Sequence, residues 1–157
     1  MIKANKLGHV VLNVSDAQAS KGFYNRVLGL EVASENEAGD IIFLSLGEDH
    51  HDLALFQNAT GPQPDKTQPG LVHMAWRLED FTAVRSAYKE LKSQGIEADE
   101  VIQHNVTQSI YISDPDGNTV ELYCDRWENG LEVMNTQGSM SRLMDIETGE
   151  AIPETVE

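Results

Sequence analysis

Two histidines and one glutamate occupy positions suited to ligands of a divalent ion. His9 follows Leu7-Gly8 and leads into Val10-Val11-Leu12-Asn13-Val14. His73 follows Leu71-Val72 and leads into Met74-Ala75-Trp76, and Glu121 sits within Thr119-Val120-Glu121-Leu122-Tyr123-Cys124. Each segment reads as a strand, along which side chains alternate between two faces. Val10, Leu12 and Val14 share one face and leave His9 on the other with Leu7 and Val11. In the same way Val72, Met74 and Trp76 leave His73 opposite, and Val120, Leu122 and Cys124 leave Glu121 opposite. All three donors then point away from the apolar faces that pack on helices. Two imidazoles and a carboxylate on one side of an ion, with the other positions open, are the donor set of non-haem Fe(II) oxygen chemistry. Taken singly, each is more often an ordinary core-edge or surface residue. What lifts the set above that reading is a repeat in the chain.

The elements that must position these residues occur twice. After the first strand, Asp16 is a candidate N-cap for a helix through Phe23, Tyr24, Val27 and Leu28, ended by Gly29. Strand-sized segments follow at 30–34, 41–46 and 52–57. Residues 58–70, with Gly61, Pro62, Pro64, Pro69 and Gly70, read as a linker. Then the same order returns. A strand carries His73, and a helix over 81–94 places Phe81, Val84, Tyr88 and Leu91 at helical spacing before Gly95. Strands follow near 96–101, 108–112 and 119–124, with the turn Asp114-Pro115-Asp116-Gly117 before the last. The opening histidines and the helix-closing glycines recur at nearly equal separation, so the chain is a βαβββ duplication. The expected fold is α+β: paired βαβββ modules (5–57 and 70–125 within a domain over 1–125) forming a curved mixed sheet around a metal-binding cleft. Residues 126–157 lose periodicity and carry seven acidic side chains, Glu154 and Glu157 among them, against Arg126 and Arg142. They read as an irregular C-terminal extension.

Bulk properties limit the partners. A net charge of −15 with 11 Lys and Arg among 157 residues argues against nucleic acid and against strongly anionic ligands. No apolar run approaches the about 20 residues that cross a bilayer, and the N-terminus lacks an apolar signal core. Cys124 is the single cysteine, which fits a reducing cytoplasm.

Leu7-Gly8-His9-Val10, Phe23-Tyr24-Asn25-Arg26-Val27-Leu28-Gly29-Leu30, Leu71-Val72-His73-Met74-Ala75 and Asp114-Pro115-Asp116-Gly117-Asn118-Thr119-Val120-Glu121-Leu122-Tyr123 together resemble the vicinal oxygen chelate superfamily. It holds glyoxalases, fosfomycin-modifying transferases, bleomycin-binding proteins and extradiol catechol dioxygenases, and the resemblance covers about residues 5–125. Further positions resemble the single-domain extradiol branch. His51 matches its acid–base histidine, His104 a histidine that contacts a substrate hydroxyl, and Tyr111 its active-site tyrosine. The bland readings are a turn histidine, a loop histidine and a sheet aromatic. Aligning Ala54-Leu55-Phe56 with Glu121-Leu122-Tyr123 puts Ala54 where a four-ligand member would carry another donor. The resemblance implies Fe(II), with Mn(II) as the other ion, held by His9, His73 and Glu121. It also implies a catechol-type substrate, O2 and a homodimer or higher homo-oligomer. The alternatives are a glyoxalase-type isomerase, a thiol transferase needing a cationic pocket (from Arg26, Lys66, Arg77 or Arg85), and a metal-free binding module.

Overall fold

The computed structural model describes residues 1–63, 65 and 67–153. Pro64 of the linker, Lys66 among the basic side chains, and Glu154 and Glu157 of the acidic tail lie outside the described residues. The chain divides into two units, Met1–Gln68 with Asp114–Gly117, and Pro69–Ser113 with the chain from Asn118 onward.

In the first unit, β1 (Val10–Asn13), α1 (Ala17–Leu28), β2 (Glu31–Glu35), β3 (Ile41–Ser45) and β4 (Leu53–Phe56) follow in order. The sheet order is β1-β4-β3-β2, with β1 parallel to β4 and the other pairs antiparallel. Helix α1 starts where expected because the Asp16 carboxylate accepts from the free amides of Gln18 and Ala19, both at 3.0 Å. It stops where Gly29 adopts φ 70, a conformation costly for any residue with a Cβ. Its buried stripe is Ala17, Ser20, Phe23 and Tyr24. The Tyr24 hydroxyl, fully buried, donates to Asp114 at 2.8 Å.

The second unit repeats this order with β5 (Met74–Arg77), α2 (Phe81–Ser93), β6 (Glu100–His104), β7 (Thr107–Ser113) and β8 (Thr119–Asp125). β5 pairs parallel with β8, and β8, β7 and β6 run antiparallel in succession. The repeat is thus present at the level of strand pairing. Val11 pairs with Ala54 in β1–β4 as Ala75 pairs with Glu121 in β5–β8.

The α+β expectation of paired βαβββ modules holds, with the strands in two mixed sheets, neither closed into a barrel. The structure corrects three other expectations. His9 and His73 stand immediately before β1 and β5, because the ladders begin with Val10↔Leu53 and Met74↔Val120. The strand expected at 96–101 lies at Glu100–His104. Gly95 and Ile96 are used to close α2, donating to Lys92 (3.1 Å) and Leu91 (2.9 Å) in a Schellman arrangement. Val72, assigned to the core face, is 80% exposed since it precedes the ladder.

The C-terminal extension is also more regular than its sequence. It holds α3 (Gly130–Gln137) and β9 (Ser141–Leu143), and β9 adds an antiparallel fifth strand beside β6. Only Val133 is buried on α3 and every β9 residue is exposed, so neither element leaves a periodic apolar trace.

Replacing Tyr24 by Phe leaves the Asp114 carboxylate short of a buried donor. We expect a loss of about 1.5–3 kcal/mol in urea unfolding followed by circular dichroism. A change below about 0.5 kcal/mol would show that the hydroxyl is dispensable.

Candidate metal and acid–base site

The parallel pairing of β5 with β8 brings His73 beside Glu121. Ala75 and Glu121 are register partners, and His73 stands two residues before Ala75 on the same side of the chain. The His73 Nε2 lies 3.1 Å from Glu121 Oε2. Glu121 is buried, while His73 retains about a third of its exposure. The neighbouring hairpin supplies the next group. Tyr111 on β7 is the register partner of Glu121, and its hydroxyl donates to Glu121 Oε1 at 2.9 Å. His104, at the end of β6, places Nε2 2.8 Å from the Tyr111 hydroxyl and Nδ1 2.7 Å from Ser141 Oγ on β9.

The direction of these bonds follows from proton inventory. A carboxylate only accepts, so Tyr111 spends its single proton on Glu121. Its oxygen then accepts from His104 Nε2–H. In a neutral imidazole this makes Nδ1 the acceptor, so the Ser141 hydroxyl donates to it. Burial, with the Glu121 carboxylate next, pushes the Tyr111 phenol well above its usual range, and it stays protonated. Burial is also the main reason that His104 titrates below the usual imidazole range; Glu121 opposes this and His73 reinforces it.

These four side chains line one cavity of about 420 Å³ within the second unit. Met134 of α3 and Ser139, which follows it, complete the wall. Sequence reasoning missed Met134, Ser139 and Ser141, and no periodicity in the tail could have found them. None of the lining residues is Lys or Arg. Arg77, the nearest basic candidate in sequence to His73, pairs with Asp125 at 3.2 Å, and Arg85 donates to the Glu147 carbonyl at 3.2 Å.

The first unit gathers the other histidines. The β3–β4 turn carries His50 and His51, and the rings of His9 and His51 lie 4.2 Å apart at 42°. His50 and His51 approach through Nδ1 atoms at 2.5 Å. Desolvation, then the neighbouring His9 and His50, hold His51 below the usual imidazole range. The structure therefore groups His73, Glu121, Tyr111 and His104 in one unit, and His9 with His51 in the other. Ala54, at the register position equivalent to Glu121, is fully buried and offers no donor.

The donor chemistry fits a divalent ion. Nitrogen and oxygen ligands about 2.1 Å from an ion and at right angles stand roughly 3 Å apart, the separation of His73 and Glu121. The same separation serves as a hydrogen bond when Nε2 is protonated. Among the described residues, no three His, Cys, Asp or Glu side chains stand together in a ligating arrangement.

Comparison with known proteins decides the family. Residues 6–122 match the model of the Glyoxalase/Bleomycin resistance protein/Dioxygenase superfamily. The chain belongs to this superfamily. It is 39% identical over 124 residues to biphenyl-2,3-diol 1,2-dioxygenase 3 of Rhodococcus globerulus, covering 78% of this chain and 64% of that protein. It is 37% identical over 128 residues to biphenyl-2,3-diol 1,2-dioxygenase 2 of the same organism, covering 81% and 66%. The chain thus spans slightly less than two thirds of these curated relatives. Among solved structures, a glyoxalase/dioxygenase from Nostoc punctiforme superposes with a TM-score of 0.66 at 25% identity, over 81% of this chain and 98% of that one. The superfamily's paired βαβββ grammar is the one seen here, with β9 and α3 lying beyond the matched segment.

The lowered pKa of His104 carries a signed consequence. Its folded imidazole binds a proton less readily than the unfolded one, so the unfolded state takes up more protons once pH falls below 6.5. Stability is therefore lost as pH drops from 6.5 towards the folded-state midpoint. NMR titration of the metal-stripped protein should give a His104 midpoint below 6.5, and His104→Gln should flatten this part of the stability curve. A midpoint above 6.5 contradicts the burial of this ring.

Proposed function

We propose that the protein is an extradiol dioxygenase that opens a catechol-type ring with O2, using Fe(II) (or Mn(II)) held by His9, His73 and Glu121. The observation that carries this reading is the arrangement around Glu121. One carboxylate is shared between an imidazole at ligand spacing and a tyrosine–histidine pair, in a cavity whose lining has no Lys or Arg. The relatives named biphenyl-2,3-diol dioxygenases support the same reaction class.

When bound, the ion supplies a Lewis acid that favours ionised catechol and a route for electrons between the aromatic diol and O2. The chain's residues do the rest. Tyr111 keeps its proton and His104 carries one on Nε2; with a diol bound, these donors would turn from Glu121 and Tyr111 to the substrate oxygens and orient them. His51, held neutral, takes a proton as the diol ionises and returns it as the ring opens. The C–C bond beside the diol breaks and both atoms of O2 enter the product, a muconic-semialdehyde-type acid. The same reading carries a cytoplasmic location and a homo-oligomeric assembly.

The thiol transferase alternative needs a cationic pocket for a phosphonate. The cavity instead carries Glu121 and Asp125, and Arg77 is committed to Asp125. A neutral or weakly acidic aromatic diol suits such walls better. Among the described residues no helix is long and apolar enough to cross a membrane.

The test is oxygen consumption with ultraviolet–visible product spectra, after anaerobic loading with Fe(II) or Mn(II), on catechol, alkylcatechols and 2,3-dihydroxybiphenyl. Stoichiometric O2 uptake with a yellow product is expected. His51→Phe should keep the metal content and slow turnover by on the order of 10²–10⁴-fold. Wild-type turnover in that variant would remove His51 from the mechanism, and no uptake on any diol would remove the dioxygenase reading.

A further inference from the structure

We propose that Ser141, on the C-terminal strand β9, is a positioning residue that fixes the proton arrangement of His104 and, through it, of Tyr111 and Glu121. The inference goes beyond the reaction proposed above and rests on it only for the consequence in turnover.

Three observations converge on this serine. His104 and Ser141 are register partners in the β6–β9 ladder, so their side chains stand side by side on one face. Ser141 Oγ lies 2.7 Å from His104 Nδ1, and the other ring nitrogen lies 2.8 Å from Tyr111. The ladder is also pinned at this point. The Asn105 amide donates to the Met140 carbonyl at 3.1 Å, and the Asn105 side chain donates to the Gly138 carbonyl at 2.9 Å. Arg126 and Trp127 brace the same turn from the chain that leaves β8, donating to the carbonyls of His104 at 2.9 Å and Asn105 at 2.8 Å.

Glu121 accepts at one end of the row and a hydroxyl able to donate stands at the other. Only one direction satisfies every member: Ser141 to His104 Nδ1, His104 Nε2 to Tyr111, Tyr111 to Glu121. Ser141 thereby holds the ring against rotation and bonds Nδ1 in the tautomer that Glu121 demands; the Nδ1–H tautomer would turn a lone pair towards Tyr111 and set it competing with Glu121 for the phenol proton. Partners of this kind, one step removed from the reacting groups, orient them and are costly to remove. The extension is therefore part of the site.

The test uses the full chain labelled with ¹⁵N-histidine, its His104 resonances assigned by comparison with His104→Gln. Wild type and Ser141→Thr should show a neutral ring with Nε2 protonated and Nδ1 displaced upfield as a hydrogen-bond acceptor. Ser141→Ala should move the Nδ1 resonance downfield to that of an unbonded nitrogen. Ser141→Asp, whose carboxylate only accepts, should protonate Nδ1. In the Fe(II)-loaded enzyme, Ser141→Ala should lower kcat on the order of tenfold with KM little changed, and Ser141→Thr should restore it. An Nδ1 resonance unchanged in Ser141→Ala, or an Nδ1 proton in wild type, overturns the proposal. The resonances need neither metal nor substrate, so a chain that failed to consume O2 would sink the dioxygenase reading and leave this one standing.

Discussion

A parallel ladder between the first and last strands of each repeat is the constraint from which the site follows. In the second unit the pairing of Ala75 with Glu121 fixes how far Glu121 stands from the chain entering β5, and His73 occupies that entry. A slip of one residue would turn Glu121 into the core and Val120 towards the imidazole, because strand side chains alternate with period two. The fully buried Val120 and Leu122 resist such a slip, since burial of each apolar side chain contributes about 1.5–3 kcal/mol. Core packing thus sets the spacing between imidazole and carboxylate, and the site inherits its precision from an apolar interaction on the opposite face.

The polar half of the site is held by a different logic. Glu121 is buried, and a buried carboxylate is tolerated only where donors surround it. Tyr111 is placed to donate by antiparallel register, and His104 is placed to supply Tyr111 by the turn between β6 and β7. The row ends on a residue from outside the duplicated modules. A fold assembled from two similar halves has become asymmetric in this way: Ala54 in the first half corresponds to Glu121 in the second, and the first half gathers imidazoles alone.

Much of this was legible in the chain because the informative signals are local. Asp16 and Gly29 bracket α1, and Gly95 closes α2, through backbone groups that need those residue types. Period-two alternation put Val120, Leu122 and Cys124 in the core and Glu121 opposite. It also identified the side of the chain that His9 and His73 occupy, although both fall just outside their ladders, where pairing rather than composition sets the boundary. What could not be read depended on distant partners. The strand expected at 96–101 shifted because Ile96 was needed by the helix cap. The tail hid α3 and β9, whose exposed residues have no reason to be periodic, and with them Met134 and Ser141. Ser141 reaches His104 through strand addition to β6, a long-range pairing with no local sequence signal.

We propose that one ion depends on His9, His73 and Glu121 together. The most direct measurement is equilibrium dialysis under anaerobic conditions against Fe(II) and Mn(II), followed by metal analysis. It would compare wild type with His9→Ala, His73→Ala, Glu121→Gln and the control His50→Ala. One ion per chain is expected in wild type and in His50→Ala, with loss of that ion in each of the other three. An ion retained at wild-type stoichiometry in His9→Ala, or none bound by wild type, would contradict it.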